Sequence, residues 1–170
     1  MVQINPVKKD PRFFDNIFDL VKYLENGRYI REATATKWEE GIKQALSYLE
    51  SNDLMKTFTE LYTVARGMQL ILDRIKSDAF WKNQQIPEQL RKKLEALAES
   101  LRGFLSDLLD IIDYYADTNR SPPAIQASWS EKINRAYFQI KNGDVDKAIG
   151  DILIVIRDLQ PLLSQISKIN

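Results

Sequence analysis

The chain has 170 residues, 44% of them hydrophobic and 28% charged, with 24 basic and 24 acidic side chains and neither His nor Cys. That length suits one domain able to bury roughly two-thirds of its unfolded surface, and the balance is that of a folded rather than a disordered chain. The missing residue types exclude a disulfide framework, a Ser-His-Asp triad, a Cys nucleophile, a Cys/His zinc site and a His general base.

Only Asp/Glu, Lys, Tyr or Arg chemistry remains, together with an oxygen-ligated Mg²⁺ or Ca²⁺. Zero net charge argues against bulk attraction to nucleic acid or anionic lipid, although it does not exclude a local patch. Residues 1–9 are expected to be a flexible N-terminal segment, and 10–170 a single helical domain. No apolar stretch follows Lys8 and Lys9, so no signal peptide is expected. The longest aliphatic run, 152–156, is far short of the ~20 residues that span a bilayer. A cytoplasmic protein that does not enter membranes is the expectation.

Helix signals run the length of the chain. Asp10 and Pro11 make a helix start, because proline at the first helical position lacks an N–H that would have no partner anyway. Phe13, Phe14, Ile17, Phe18, Val21 and Leu24 then form an apolar face. Asn26-Gly27 is expected to supply the left-handed residue that ends this helix. Thr36 and Glu39 read as a capping box opening a helix that buries Trp38, Ile42, Ala45, Leu46 and Leu49. Ser51-Asn52-Asp53 breaks the pattern and caps a helix with Leu54, Phe58, Leu61, Tyr62, Ala65, Met68, Leu72 and Ile75. Gly67 lies inside it at a cost of roughly 1 kcal/mol against Ala, which points to a close helix crossing there.

Residues 77–86 read as a connector holding Phe80 and Trp81. Pro87 is expected to open the longest helix, over about 87–116. Its apolar positions Leu90, Leu94, Leu97, Leu101, Phe104, Leu108, Ile111 and Tyr115 keep heptad spacing. A turn-rich linker follows at 117–123. Ser121 and Pro122 start a helix carrying Ile125, Trp129, Ile133, Ala136, Tyr137 and Ile140. Asn142-Gly143 ends it and Asp144 caps the last helix. That helix uses Val145, Ile149, Ile152, Ile156, Leu159, Leu163 and Ile166, with Pro161 as a point of bending. No segment alternates with period two. The expected fold is all-α, an antiparallel bundle of about six helices with four long ones forming the core.

Asn142-Gly143-Asp144-Val145-Asp146-Lys147-Ala148-Ile149 resembles the second half of a tetratricopeptide repeat. In that family a tight Gly turn joins two helices, and a small residue, here Ala148, lets them approach; Ile152 falls where the family has a large apolar residue. The resemblance implies a helical hairpin. It covers half of one repeat, with Trp129 and Tyr137 out of the family's register, Pro161 one place late and no second copy.

Four groups of residues are candidates for function. Asp107, Asp110, Asp113 and Asp117 recur at helical spacing and form an acidic face; helical pyrophosphohydrolases use clustered Glu and Asp with Mg²⁺, which makes such an enzyme the third reading. Arg91-Lys92-Lys93 sits early in the same helix. Bases early and acids late oppose the helix dipole, so local stability does not account for the pattern. A second copy laid head to tail would bring Arg91, Lys92 and Lys93 against Asp107, Asp110 and Asp113; counter-charges from neighbouring helices of the same chain are the alternative. Phe80 and Trp81 are a candidate partner anchor, or else a lid on the bundle end. Lys8, Lys9, Arg12, Arg28, Tyr29 and Arg31 mix bases with an aromatic ring, the combination single-stranded nucleic-acid binders use. Phosphate-cradling glycine loops are absent.

The first expectation is therefore a non-catalytic interaction or assembly protein acting through protein–protein contacts, with itself or with another chain, and with no cofactor. The second is a nucleic-acid-associated helical subunit, of the size class of the small helical subunits of CRISPR effector complexes or of helical viral proteins.

Overall fold

A computed structural model describes residues 12–106, 110 and 123–169, with side chains absent from the description at 123–126 and 161–169. The six described helices are α1 (Arg12–Asn26), α2 (Glu32–Glu50), α3 (Leu54–Trp81), α4 (Glu88–Phe104), α5 (Pro123–Lys141) and α6 (Val145–Ile169), and no strand is among the described residues. The Asp10 and Pro11 start, the Ser121 and Pro122 start and the seam positions Leu108, Ile111 and Tyr115 lie outside the described residues, as does the 117–123 linker up to its last residue.

Each helix packs against two others, in the closed cycle α1–α2–α3–α6–α5–α4 and back to α1. Every adjacent pair in the cycle joins an odd-numbered helix to an even one, and the pairs run antiparallel. Side-chain pairings establish the sense. Phe13 meets Phe104 while Asn16 meets Ala96 across α1/α4, and Tyr62 meets Gly150 while Gln69 meets Asp146 across α3/α6. Across α2/α3, Trp38 meets Gly67 while Gly41 meets Val64.

One continuous core fills the cycle and takes residues from all six helices. Phe104 is its aromatic hub. It stacks on Phe13 at 5.3 Å, meets Phe14 edge-on at 5.8 Å and reaches Phe58 of α3 at 6.0 Å. The α3 and α4 backbones do not pack directly, so these rings span the interior between them.

The α2/α3 joint is a tight crossing. A Cβ built on Gly67 would lie 3.0–3.2 Å from the Trp38 indole, and one on Gly41 would lie 2.9 Å from Val64. The expected close crossing at Gly67 is therefore present, and its cause is the Trp38 ring lying on the bare backbone.

Several helix ends differ from the sequence expectation. α2 begins at Glu32, so Thr36 and Glu39 are interior residues rather than a capping box. Arg31 is its N-cap and makes no side-chain cap bond, while Glu39 pairs with Lys22 at 3.4 Å. Burial of Ala35 extends the apolar face back one turn and carries the helix with it. α3 continues through Ser77 and Asp78 to Trp81 because no Gly or Pro intervenes; Asn83, at φ 53°, then turns the chain. At 28 residues it is the longest of the described helices, a place the sequence assigns to the helix after Pro87. That helix, α4, ends at Phe104 with Leu105 as its C-cap, so 87–116 is not one unbroken helix. At the break the Ser106 hydroxyl donates to the Gly103 carbonyl at 2.9 Å and competes with the helical ladder.

Asp53 caps α3 as expected, accepting from the Lys56 amide at 3.0 Å. Asp144 does not cap α6 with its carboxylate, which takes Lys76 Nζ at 2.9 Å; the Asp146 amide donates instead to Gln69 Oε1 at 3.2 Å. The helical hairpin around Gly143 is present, with Gly143 at φ 80°, and Ala148 and Ile152 are fully buried. α6 stays helical through Pro161.

Replacing Gly67 with Val forces two methyl groups against the Trp38 indole. The expected loss is about 1–3 kcal/mol of unfolding free energy by urea titration, despite the gain of a better helix former than glycine.

Candidate functional site: the end of the bundle that carries the odd-to-even connections

Alternating direction places the α1–α2 loop, the α3–α4 connector and the α5–α6 turn at one end of the bundle. The α2–α3 turn lies at the other. α3 and α4 stand opposite each other in the cycle, so their connector crosses the mouth of that first end. Ile86, half-buried against the core, fastens the crossing.

α3 overshoots its neighbours here. Gly67 lies beside Trp38 near the start of α2, and Gln69 lies beside Asp146 at the start of α6. Residues 77–81 therefore run past the beginnings of both flanking helices, and 77–85 are exposed apart from half-buried Ala79. Phe80 and Trp81, expected in a connector, form the last turn of this projecting helix. They are 76% and 80% exposed and meet edge-to-face at 5.6 Å. They do not fold back as a lid. The other two tryptophans, Trp38 and Trp129, are buried.

The base of the projection is held by a polar clamp. Gln69 is buried, and its amide nitrogen donates to the Gly143 carbonyl and to Asp73, each at 2.8 Å. Its carbonyl oxygen receives the Asp146 amide, one of the N–H groups a helix start leaves open. Lys76 bridges Asp144 at 2.9 Å and Asp73 at 3.3 Å. Burial lowers the Lys76 pKa, but the hydrogen bonds and charges of Asp144 and Asp73 outweigh it, and the net value lies above the ordinary 10.5.

The α1–α2 loop has its own construction. The Tyr29 amide donates to the Leu24 carbonyl and the Arg28 amide to the Glu25 carbonyl, each at 2.9 Å, which closes the end of α1. The left-handed residue is Arg28, at φ 63°, and not Gly27 as expected. Gly27 serves a different purpose: a Cβ there would lie 2.6 Å from the Tyr29 ring, so glycine makes the bed on which that ring rests. Tyr29 also stacks on Tyr23 at 6.2 Å and remains 38% exposed. Burial first, and then the neighbouring Tyr29, push the Tyr23 phenol above its usual 10.0.

Arg91 and Lys92 find counter-charges on their own helix: Arg91 pairs with Glu95 at 3.1 Å and Glu88 at 3.4 Å, and Lys92 with Glu88 at 3.8 Å. Lys93 is half-buried and lines, with Lys92, Asn16 and Asp19, a groove of about 390 Å³ between α1 and α4. Asp110 is exposed; Asp107, Asp113 and Asp117 lie outside the described residues, as do Lys8 and Lys9. Arg12 begins α1 at the opposite end and is engaged within the chain. The fold thus unites Arg28, Tyr29 and Arg31 with Phe80, Trp81 and Arg91-Lys92-Lys93 at one end, and leaves Arg12 away from them. Among the described residues no group of three or more Asp and Glu is placed to hold a metal ion, and no helix is long and apolar enough to cross a membrane.

The chain matches no known protein family, and comparison with characterised proteins and with solved structures finds no match.

Arg28→Gly removes an unfavourable left-handed arginine and is expected to raise unfolding free energy by about 1–2 kcal/mol in urea. Lys76, with its folded pKa raised, contributes stability that is whole below pH 10.5 and is lost as pH climbs through the folded value. Chemical denaturation of wild type and Lys76→Met above pH 10 checks this: the wild type declines more steeply, and equal slopes contradict it.

Proposed function

We propose that this protein is a non-catalytic interaction subunit that docks a protein partner through the projecting end of α3. The observation that carries the reading is the Phe80–Trp81 pair, two large aromatic side chains presented on a helix turn and left mostly open to water. Leaving such rings in water forgoes roughly 1.5–3 kcal/mol of burial each, so the fold gains nothing from them there. Aromatic anchors of this kind dominate binding energy when they enter a partner's pocket.

The stiffness of the presentation supports the same reading. The rings stand on a helix rather than a free loop, and the Gln69 and Lys76 clamp holds its base. Less side-chain and backbone freedom is then lost on docking. Arg91 and Lys92, already paired along α4, form a screened flank, and the aromatic tip supplies the contact.

The test uses the full chain carrying a photoreactive benzoylphenylalanine in place of Trp81, irradiated inside the cells that produce it. Discrete protein adducts are expected from position 81 and none from the same group at exposed Lys43. Identical patterns from both positions, or none, would overturn the reading. In parallel, Phe80→Ser with Trp81→Ser is expected to stay within about 0.5 kcal/mol of wild-type stability, as surface positions do. It should also abolish wild-type association with whichever protein is captured.

A further inference from the structure

The α1–α2 loop at the same end closes α1 with two backbone bonds, from the Arg28 amide to the Glu25 carbonyl and from the Tyr29 amide to the Leu24 carbonyl, and Arg28 takes the left-handed position that such a close uses. Asn52 and Asn83 hold the same position after α2 and α3. Particular to this loop is the Tyr29 ring, which stacks on Tyr23 and lies where a Cβ on Gly27 would meet it.

The result is a fixed aromatic surface flanked by cations. Tyr29 keeps 38% of its surface open. Arg28 and Arg31 are both exposed on either side of it, and neither guanidinium has a carboxylate partner among the described residues. α1 packs on α2 and α4, so the first turns of α4 stand on the same flank of the bundle as this loop and bring the Lys93 ammonium to that side. The nearby acids are Glu25, held by Lys22 at 3.8 Å, exposed Glu32, and Asp19 across the groove from Lys93.

We propose that this loop is a binding site for single-stranded nucleic acid, with a base stacked on the open face of Tyr29 and the adjoining phosphates held by Arg28, Arg31 and, further along the strand, Lys93. Stacking rings need no particular base and cations track the backbone, so recognition is sequence-tolerant. A bilayer is disfavoured because exposed Arg28 and Arg31 stand on either side of Tyr29, which stacks on Tyr23. The site is separate from the Phe80–Trp81 tip, and each stands or falls without the other.

Fluorescence anisotropy with labelled oligothymidine and oligouridine of about twelve nucleotides tests it, using the full chain from about 20 to 200 mM salt. Saturable binding is expected, with log K falling against log salt at a slope of about −2, the value for three phosphate contacts on a single strand. Tyr29→Ala should weaken binding at least about five-fold, the low end for loss of one stacked base. Arg28→Gly separates function from folding, because it should stabilise the protein while weakening the oligonucleotide complex. Phe80→Ser with Trp81→Ser should leave binding unchanged.

Absence of saturable binding at the lowest salt overturns the proposal, and so does unchanged affinity in both Arg28→Gly and Tyr29→Ala. Loss of binding in the Phe80/Trp81 variant alone would move the contact to the α3 tip and overturn it as well. Equal affinity for heparin or phosphatidylserine vesicles, insensitive to Tyr29→Ala, would mean a general anion surface in place of a stacking site.

Discussion

The closed cycle of six helices depends on two joints that chain order does not supply, α1 to α4 and α3 to α6, and Gln69 anchors the second. α3 and α6 are remote in sequence, yet they must meet for the cycle to close. A single buried amide on α3 satisfies both halves of the α5–α6 turn, giving its N–H to the Gly143 carbonyl and its carbonyl to the Asp146 amide. A buried side chain used this way is hard to replace, because a shorter or apolar residue leaves two backbone groups without partners. Lys76 lies about two turns further along the same helix face and seconds the joint, its ammonium reaching both Asp144 and Asp73.

With both joints in place, the rest of the arrangement follows from parity. Odd helices run one way and even helices the other, and only odd–even pairs touch. Every odd-to-even connection is then delivered to the same end. Groups far apart in sequence, in the α1–α2 loop, at the α3 tip and in the first turns of α4, are gathered there without any direct bond among them. The α3–α4 connector has to cross the bundle mouth because its two helices occupy opposite places in the cycle. The length of α3 lifts Phe80 and Trp81 clear of the flanking helices.

Non-glycine residues take left-handed positions at both ends of the bundle, Arg28 and Asn83 at this one and Asn52 in the α2–α3 turn. Arg28 occupies a left-handed position while glycine sits beside it, and two large aromatic rings stand in water. Both features lower stability locally. The opposite pattern holds in the interior, where glycine at 67 and tryptophan at 38 fit each other and Phe13, Phe14 and Phe58 meet around Phe104.

Much of the fold is legible in the residue pattern because amphipathic periodicity is a local property. Phe13, Phe14, Ile17, Val21 and Leu24 mark the buried face of α1 by spacing alone, and Leu90 through Phe104 do the same for α4. The exclusion of His and Cys chemistry is likewise complete from composition. Helix ends are less legible, since they are set by competing partners: Thr36 and Glu39 have capping-box spacing but lie inside α2, and Asp144 has the residue type of a cap but is drawn to Lys76. The left-handed position cannot be assigned to Arg28 from the Asn26-Gly27 signal, because it depends on where the closing bonds to the Leu24 and Glu25 carbonyls fall. From the residues alone come an all-helical chain and the buried face of each helix, as these follow from side-chain chemistry at fixed helical spacing. That the exposed aromatics and the exposed Arg28 and Arg31 share one end emerges only from the folded arrangement, because it rests on which helices touch and how far each runs past its neighbour.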